Sequence, residues 1–507
     1  MAAWPVTQLH ATVNDYPLQL LFICALMLIN HTHGRGVNNH RQFVFPTGIR
    51  YQPLKSLLRV IVYLLVICWW LPAHASSAQE TAAVIALDND YQRISASAFQ
   101  ELANKNPTLV LDKKNIAALV RQTSRADEAG NSTQVILLIA ANIPLVQHNI
   151  SDKSVATLGR LLFKHQATGL ATNLLALAAR SGDEYAEARL KFEYARYLAS
   201  SHQWQDAYAE LKAIDINNAL SQKEADEAQI IMGAALQHQK KHRKAVEYFS
   251  RLKPESEQYR IAQLNTAVAY IRQDWWTDAH IAIKDALEVG PSKDEMANRL
   301  YTLLGFSQIQ HGFYRDARES FRHVHLNSGY ANRALLGLGV AALHQEDFIG
   351  ALNAFNHLKK KDEHDISVAE SYLLSAFSLV QLKQNKTASA SYTEAITYYE
   401  QQVNLYNTLS RNMANPAQLS PEQRDVLQAE LRDHPTLQAL NTRRQLLSFL
   451  QTQPLSTSTD KAVDALASRL NQTYLEQVRA LLDKKRTVID SYLSQSRFGL
   501  ARLFDTQ

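Results

Sequence analysis

From residue 76 to the end, apolar side chains recur every three or four positions, with no sustained alternation of apolar and polar residues. A period near 3.6 places such residues on one helix face, whereas a strand needs a period of two, so the chain reads as all-α. Only 13 glycines and 8 prolines fall in that stretch, which leaves long uninterrupted helical segments. The pattern also repeats at a longer range. A buried-type alanine returns as Ala207, Ala245, Ala279, Ala317, Ala351 and Ala388, at steps of 38, 34, 38, 34 and 37 residues. Each is paired with an earlier small residue: Ala195, Gly233, Ala267, Gly305, Gly339 and Ala376. Trp204, Trp276, Tyr314 and Phe348 stand three residues before their alanine, and Leu211, Phe249, Ile283, Phe321, Phe355 and Tyr392 stand four after it. A weaker seventh copy fits Gly159, Ala171 and Leu175.

A small residue in a first helix lets a second helix approach closely. The alanine of the second helix sits where the next pair crosses, and the large side chains fill the space between layers. Such a pair buries its faces only by stacking on its neighbours. The pattern resembles the tetratricopeptide repeat (TPR), with small-x₂-aromatic in helix one and A-x₃-F in helix two. It departs from it at the early aromatic position, which is Gln263 in one copy and Tyr301 in another, and keeps the closing proline only at Pro291, with Pro254 shifted.

The resemblance implies a right-handed solenoid of about six to seven helical hairpins over residues 151–400. A helical lead-in over 76–150 would precede it, broken at Pro107 and near Gly130, and C-terminal helices over 401–507 would cap it. Helix starts are expected at the capping boxes Ser221 with Glu224, Ser292 with Glu295, and Ser420 with Gln423, the last with Pro421 at the first helical position. Pro454 to Thr459 reads as a polar linker. Beyond it, Leu475, Val478, Leu482, Val488, Tyr492 and Leu503 mark one amphipathic helix or a pair.

In a repeat of this kind the first helices line the concave face, which implies protein-binding positions at Leu264, Val268, Phe306, Leu336, Val340 and Phe377. Earlier copies are more polar there, with Arg189, Arg196, Glu227 and Gln237. An apolar face of that extent needs a cover, either the C-terminal helix folded back or a helix or extended segment of another protein.

The N-terminus carries an address. Lys55 precedes an apolar run that continues after Arg59 for 12 residues to Leu71 and ends in Pro72-Ala73-His74-Ala75. A basic start, a short apolar core and an A-x-A end make a signal peptide over 55–75, and 12 residues fall short of the roughly 20 that span a bilayer. The expected location is the periplasm of a Gram-negative cell, with an uncleaved inner-membrane anchor as the alternative. Residues 1–54 hold a second apolar run, Leu18 to Ile29, and fit no mature domain. The expected translation start is therefore near residue 50, with a genuine two-span N-terminus as the other reading.

Charge and chemistry narrow the function further. Without residues 1–75 the chain has 48 Lys and Arg against 47 Asp and Glu. A net charge near zero lacks the footprint of a nucleic-acid binder. Both cysteines, Cys24 and Cys68, lie in the leader, so the remainder has no disulfide or thiolate. His238 and His242 are four apart but sit in a basic loop, Lys240, Lys241, Arg243 and Lys244, with no third ligand type nearby. That loop, Lys359-Lys360-Lys361 and Lys484-Lys485-Arg486 read as solvated surface. Asp88 with Asp90 is a lone D-x-D. Trp276 belongs to the repeat core, which leaves Trp275 at the surface. No nucleophile elbow, P-loop, dinucleotide fingerprint or zinc-protease motif occurs. The chain thus reads as a non-enzymatic, cofactor-free scaffold for one or more envelope proteins, touching a membrane only through its N-terminal segment. A regulatory or anchoring subunit of an envelope enzyme, for example one acting on cell wall, is the alternative.

Overall fold

The computed structural model describes residues 73–111, 115–291, 293–361, 364–432 and 434–505. The signal peptide core, both cysteines and residues 1–54 lie outside the described residues, as does Ser292. The chain divides into two compact units, Met1–Tyr91 and Gln92–Gln507. Of the first, the described part is the opening of helix α1 (Ala73–Asn104); the repeat stack belongs to the second.

Among the described residues there is no strand and there are 22 helices. After α1 come α2 (Ile116–Glu128), α3 (Ser132–Ala141), α4 (Ile143–His148), α5 (Ser154–Lys164), α6 (Thr168–Ser181), α7 (Glu184–Ser200) and α8 (Trp204–Lys212). The stack continues through α9 (Ile216–Ala219), α10 (Gln222–His238), α11 (His242–Phe249), α12 (Tyr259–Ile271), α13 (Trp276–Val289), α14 (Glu295–Gln310) and α15 (Tyr314–Arg322). The remaining helices are α16 (Ala331–His344), α17 (Phe348–Leu358), α18 (Ile366–Gln381), α19 (Asn385–Asn412), α20 (Pro421–Arg432), α21 (Pro435–Gln451) and α22 (Thr457–Asp505). The architecture is an all-α helical-repeat solenoid.

The backbone carries the repeat as plainly as the side chains do. Gln166, His202, Lys240, Asp274, Gly312, Glu346 and Lys383 all take left-handed φ values, +58 to +80°. Each lies five residues before one of Ala171, Ala207, Ala245, Ala279, Ala317, Ala351 and Ala388, and all seven alanines are fully buried. The left-handed residue turns the chain between the two helices of a hairpin and so fixes which residue reaches the crossing point. The weak copy at Ala171 is therefore a full hairpin, α5–α6. The same geometry adds one that the alanine pattern does not show: Gly130 has φ +70°, and five residues on the fully buried Val135 takes the alanine's place in α2–α3.

The glycines of the first helices behave as their spacing implies. A Cβ at Gly233, Gly305 or Gly339 would overlap the ring of Phe249, Phe321 or Phe355 on the partner helix. Between hairpins, Leu264, Val268 and Ile271 of α12 pack with Ala279 and Ile283 of α13 and with Leu300 and Leu303 of α14 in one buried cluster. Each first helix from α10 to α18 also touches the next first helix, so the stack is continuous along that side.

Ser221 and Glu224 form the expected capping box, Ser221 N donating to Glu224 Oε2 at 2.9 Å. Ser420 and Gln423 exchange the equivalent bonds at 3.1 and 3.2 Å. At α14 the cap is Asp294 rather than Ser292: its carboxylate accepts from Ala297 N at 2.8 Å and pairs with Arg260 of the preceding first helix. Glu295 is thereby released to hold Ser328 Oγ and Gly329 N of the next loop, at 3.0 and 2.9 Å. The tail is one helix of 49 residues, α22, about 73 Å long at 1.5 Å per residue. It begins at Thr457, so the polar linker is shorter than its composition implied.

Two substitutions test this register. Gly339→Ala should lower stability by about 1–3 kcal/mol, because the methyl meets the Phe355 ring. Glu346→Gly should raise it by about 0.5–1 kcal/mol by relieving an L-residue in the left-handed region. Urea titrations followed by circular dichroism would read both; a neutral Gly339→Ala would show that the helices are not held at that separation.

Candidate functional site

The first helices place the candidate positions side by side, but not in an open groove. Leu264 and Val268 on α12 and Leu336 and Val340 on α16 are 1–4% exposed. Phe306 and Phe377 are half-buried, and the Phe306 ring meets Phe321 edge-on at 5.1 Å. The first helices lie close enough that each neighbour covers these side chains, so the predicted apolar face is largely core. The tail takes its own seat at the end of the stack. It packs along α19, touches α18, and lies beside α21.

Toward the N-terminal end the same face is polar. Arg160 on α5 donates to Glu193 on α7 at 2.9 Å, Arg196 binds Glu193 at 3.0 Å, and Arg196 Nε reaches Glu227 on α10 at 2.8 Å. Three successive first helices are thus joined by a chain of alternating charges. Glu193 and Arg196 are buried, and burial, opposed by Arg196, raises the Glu227 carboxyl above its ordinary range. Gln237 is buried too and donates to Asn265 O at 2.6 Å, while Arg189 is half-buried. At the other end, Glu370 on α18 faces α22, where the Tyr492 hydroxyl lies 3.3 Å from its carboxylate. Burial pushes this carboxyl up to about 7.

The C-terminal helices also return to the start of the unit, a feature with no sequence signal. Arg443 on α21 donates to Tyr197 Oη at 2.7 Å and to Gln166 Oε1 at 3.2 Å. Phe449 stacks on Phe99 of α1 with ring centroids 6.4 Å apart. Ser456, just before α22, donates to Glu101 through both N and Oγ, and Lys105 reaches Pro454 O. A cleft of about 380 Å³ lies between the α2–α3 turn, residues 129–133, and Thr442, Gln445 and Leu446 of α21.

A histidine seam ties hairpin to hairpin, and sequence periodicity missed it. The residue opening a second helix lies against a histidine that closes the next first helix: Trp204 on His238 at 4.5 Å, Trp276 on His311 at 5.7 Å, Tyr314 on His344 at 4.5 Å. His238 is thereby stacked on an indole. Trp276 is 36% exposed, flanked by His311 and by Phe313 at 5.1 Å, and so is a surface seam residue rather than core. Trp275 is equally exposed, beside Tyr270 and under Arg243.

In the first hairpin the seam is polar. Ser132 opens α3, His165 Nδ1 lies 2.8 Å from its Oγ, and His165 Nε2 lies 2.8 Å from Asp127 Oδ1. These are the residue types of a hydrolytic triad. Their placement follows from the seam, since Ser132 and His165 occupy the positions of Trp276 and His311 relative to the left-handed turn residues. Asp127 is moreover already paired with Lys164. Among the described residues, no group of three or more His, Cys, Asp or Glu is placed to hold a metal ion. No helix there is long and apolar enough to cross a membrane.

No family model matches the chain, and no curated protein does. Among solved structures it is similar to a tetratricopeptide repeat protein from Parabacteroides merdae, with 16% identity and a TM-score of 0.34 over 57% of this chain and 100% of that one. It is also similar to the APC/C hetero-tetramer Cut9-Hcn1, with 13% identity and a TM-score of 0.30 over 71% of this chain and 67% of that one. The P58(IPK) TPR domain gives 10% identity and a TM-score of 0.19 over 71% and 99%.

The buried groups make stability depend on pH in two directions. Glu370 has a folded pKa raised from 4.5 to about 7, so its contribution is fully present below 4.5 and is lost as pH rises through 7, by about 3 kcal/mol. Burial lowers His165, His202, His242, His280 and His344, whose contribution is present above the ordinary 6.5 and is lost on acidification. Glu370→Gln should therefore raise the thermal midpoint at pH 8 and leave it nearly unchanged at pH 5. An equal gain at both pH values would contradict a buried, proton-bearing Glu370.

Proposed function

We propose that this protein is a TPR-type scaffold that binds other proteins in the cell envelope, exported by the leader over 55–75. The observation that carries the reading is the architecture itself: eight hairpins in one register, from α2–α3 to α18–α19, joined by side-chain packing. Such a stack offers an extended surface in which each hairpin contributes a few residues, the arrangement on which repeat proteins hold peptides and partner domains. A protein partner also suits the exposed apolar residues concentrated in adjoining hairpins: Trp275, Trp276 and Ile281 around α13, Phe313 before α15, and Ile349 on α17. The Gram-negative, periplasmic assignment rests on the leader's sequence.

In-cell crosslinking with a C-terminally tagged chain, followed by mapping of crosslinked residues and N-terminal sequencing of the bait, tests both parts. The expected result is one dominant partner attached within residues 92–505 and a bait beginning at Ser76. A bait carrying residues 1–75 with no protein partner would overturn both the export and the scaffold reading.

A further inference from the structure

Along the stack, surface cations pair with carboxylates of a neighbouring hairpin. Lys164 reaches Asp127, Lys223 reaches Glu257, Arg260 reaches Asp294, Arg318 reaches Asp347 and Lys359 reaches Glu394. The turn between α10 and α11 departs from that habit. Lys240, Lys241, Arg243 and Lys244 are exposed there, and among the described residues no carboxylate pairs with any of them. Lys241 Nζ donates to Gln239 Oε1 at 2.8 Å, and the Arg243 guanidinium lies over the Trp275 ring at 4.9 Å.

This charge also works against the helix it opens. Just before the repeat alanine, α8, α13 and α15 carry Asp206, Asp278 and Asp316 in their first turns, where the helix dipole favours negative charge. Lys244 holds that position in α11, whose first turn has no acidic residue. Burial, and then Arg272 of the next turn, keep His242 below its ordinary range. Cations set against one another and against the dipole do not stabilise the hairpin; they stabilise a complex with an anionic group.

Aromatic rings border the cations. Contact runs from Arg243 to Trp275, and beside it Trp276 lies 5.1 Å from Phe313 of the following turn. All three rings are 36–38% exposed. Three successive turns thus form one edge, cationic at the α11 end and aromatic toward α15. Asp274 and Asp278 stand exposed on the middle turn. They oppose anything of uniform negative charge laid along the edge, such as an anionic membrane or a nucleic-acid backbone. A peptide avoids that penalty, because its acidic and apolar residues occupy separate positions.

We propose that this edge docks an acidic peptide segment of a partner protein, with its carboxylates on Lys240, Lys241, Arg243 and Lys244 and an aromatic or aliphatic side chain on Trp276 and Phe313. Stacking on an indole holds a guanidinium in place and leaves its N–H groups for a carboxylate. The proposal rests on the scaffold reading and names the chemistry of the partner.

The test is fluorescence anisotropy on the full chain with a fluorescein-labelled peptide of four glutamates, two glycines, phenylalanine and leucine. Wild-type protein should bind it, less tightly as salt rises, and at least about tenfold less tightly when glutamines replace the glutamates. Lys244→Asp separates recognition from folding. It should raise the thermal midpoint, by placing negative charge where the dipole favours it, yet weaken peptide binding at least about tenfold. Phe313→Ala should weaken this peptide and leave a peptide of four glutamates alone unaffected. Lys223→Gln, at a lysine already paired with Glu257, should leave binding unchanged. No binding by wild type, equal binding by Lys244→Asp, or equal binding of the glutamine peptide would each overturn the proposal. So would binding of phosphatidylglycerol vesicles or of a single-stranded oligonucleotide that exceeds binding of the peptide. A crosslinked partner mapped only outside residues 238–316 would overturn it while leaving the scaffold reading in place.

Discussion

The close approach of two helices around a small side chain is the contact on which the rest of this structure depends. Within each hairpin a left-handed residue fixes the turn, and five residues later an alanine arrives at the crossing point with no accessible surface. Opposite it, in three copies, a glycine takes the ring of a phenylalanine from the partner helix. With the separation fixed, large side chains on the outer faces meet the next pair at a repeatable height, and the stack extends by addition. Six of the seven left-handed residues before an alanine are not glycine, and each is held there at a cost of about 1–2 kcal/mol in backbone strain. Packing on both sides of the turn must exceed that cost.

Side-chain size at fixed spacing made this much legible from sequence, because a steric limit at the crossing point restricts which residues can stand there. The α2–α3 hairpin escaped notice because Val135 stands where the other copies have alanine. The cap of α14 was misplaced for a different reason: Asp294 is drawn by Arg260 as well as by the helix N-terminus, and a local pattern does not see a partner 34 residues away. The candidate binding residues were legible as a face but not as a buried one. Leu264, Val268, Leu336 and Val340 lie where the first helices converge, and how closely those helices converge is set by the whole stack. The return of α21 and Ser456 to the N-terminal hairpins was not legible at all. It depends on single pairs such as Arg443 with Tyr197 and Ser456 with Glu101, separated by 246 and 355 residues, with no periodicity to announce them.

These features assign different work to different parts of the stack. The middle first helices are largely core. The buried charges at Glu193 and Arg196 join the early hairpins by bonds that fail if either partner is lost, as uncompensated buried charges do. The seam of aromatic and histidine rings runs along the hairpin turns, where Trp275, Trp276 and Phe313 are 36–38% exposed. The first helices therefore leave no continuous apolar groove at Leu264, Val268, Leu336 and Val340, which are 1–4% exposed.

The most direct test of the small-residue crossing is hydrogen exchange on Ala317→Leu. Ala317 is fully buried at the α14–α15 crossing, and leucine there should wedge that hairpin from its neighbours. The expected result is lost protection in α12 through α17, with α5–α8 protected as in the wild type. Unchanged protection throughout would contradict the claim that a small residue at the crossing point holds the stack together.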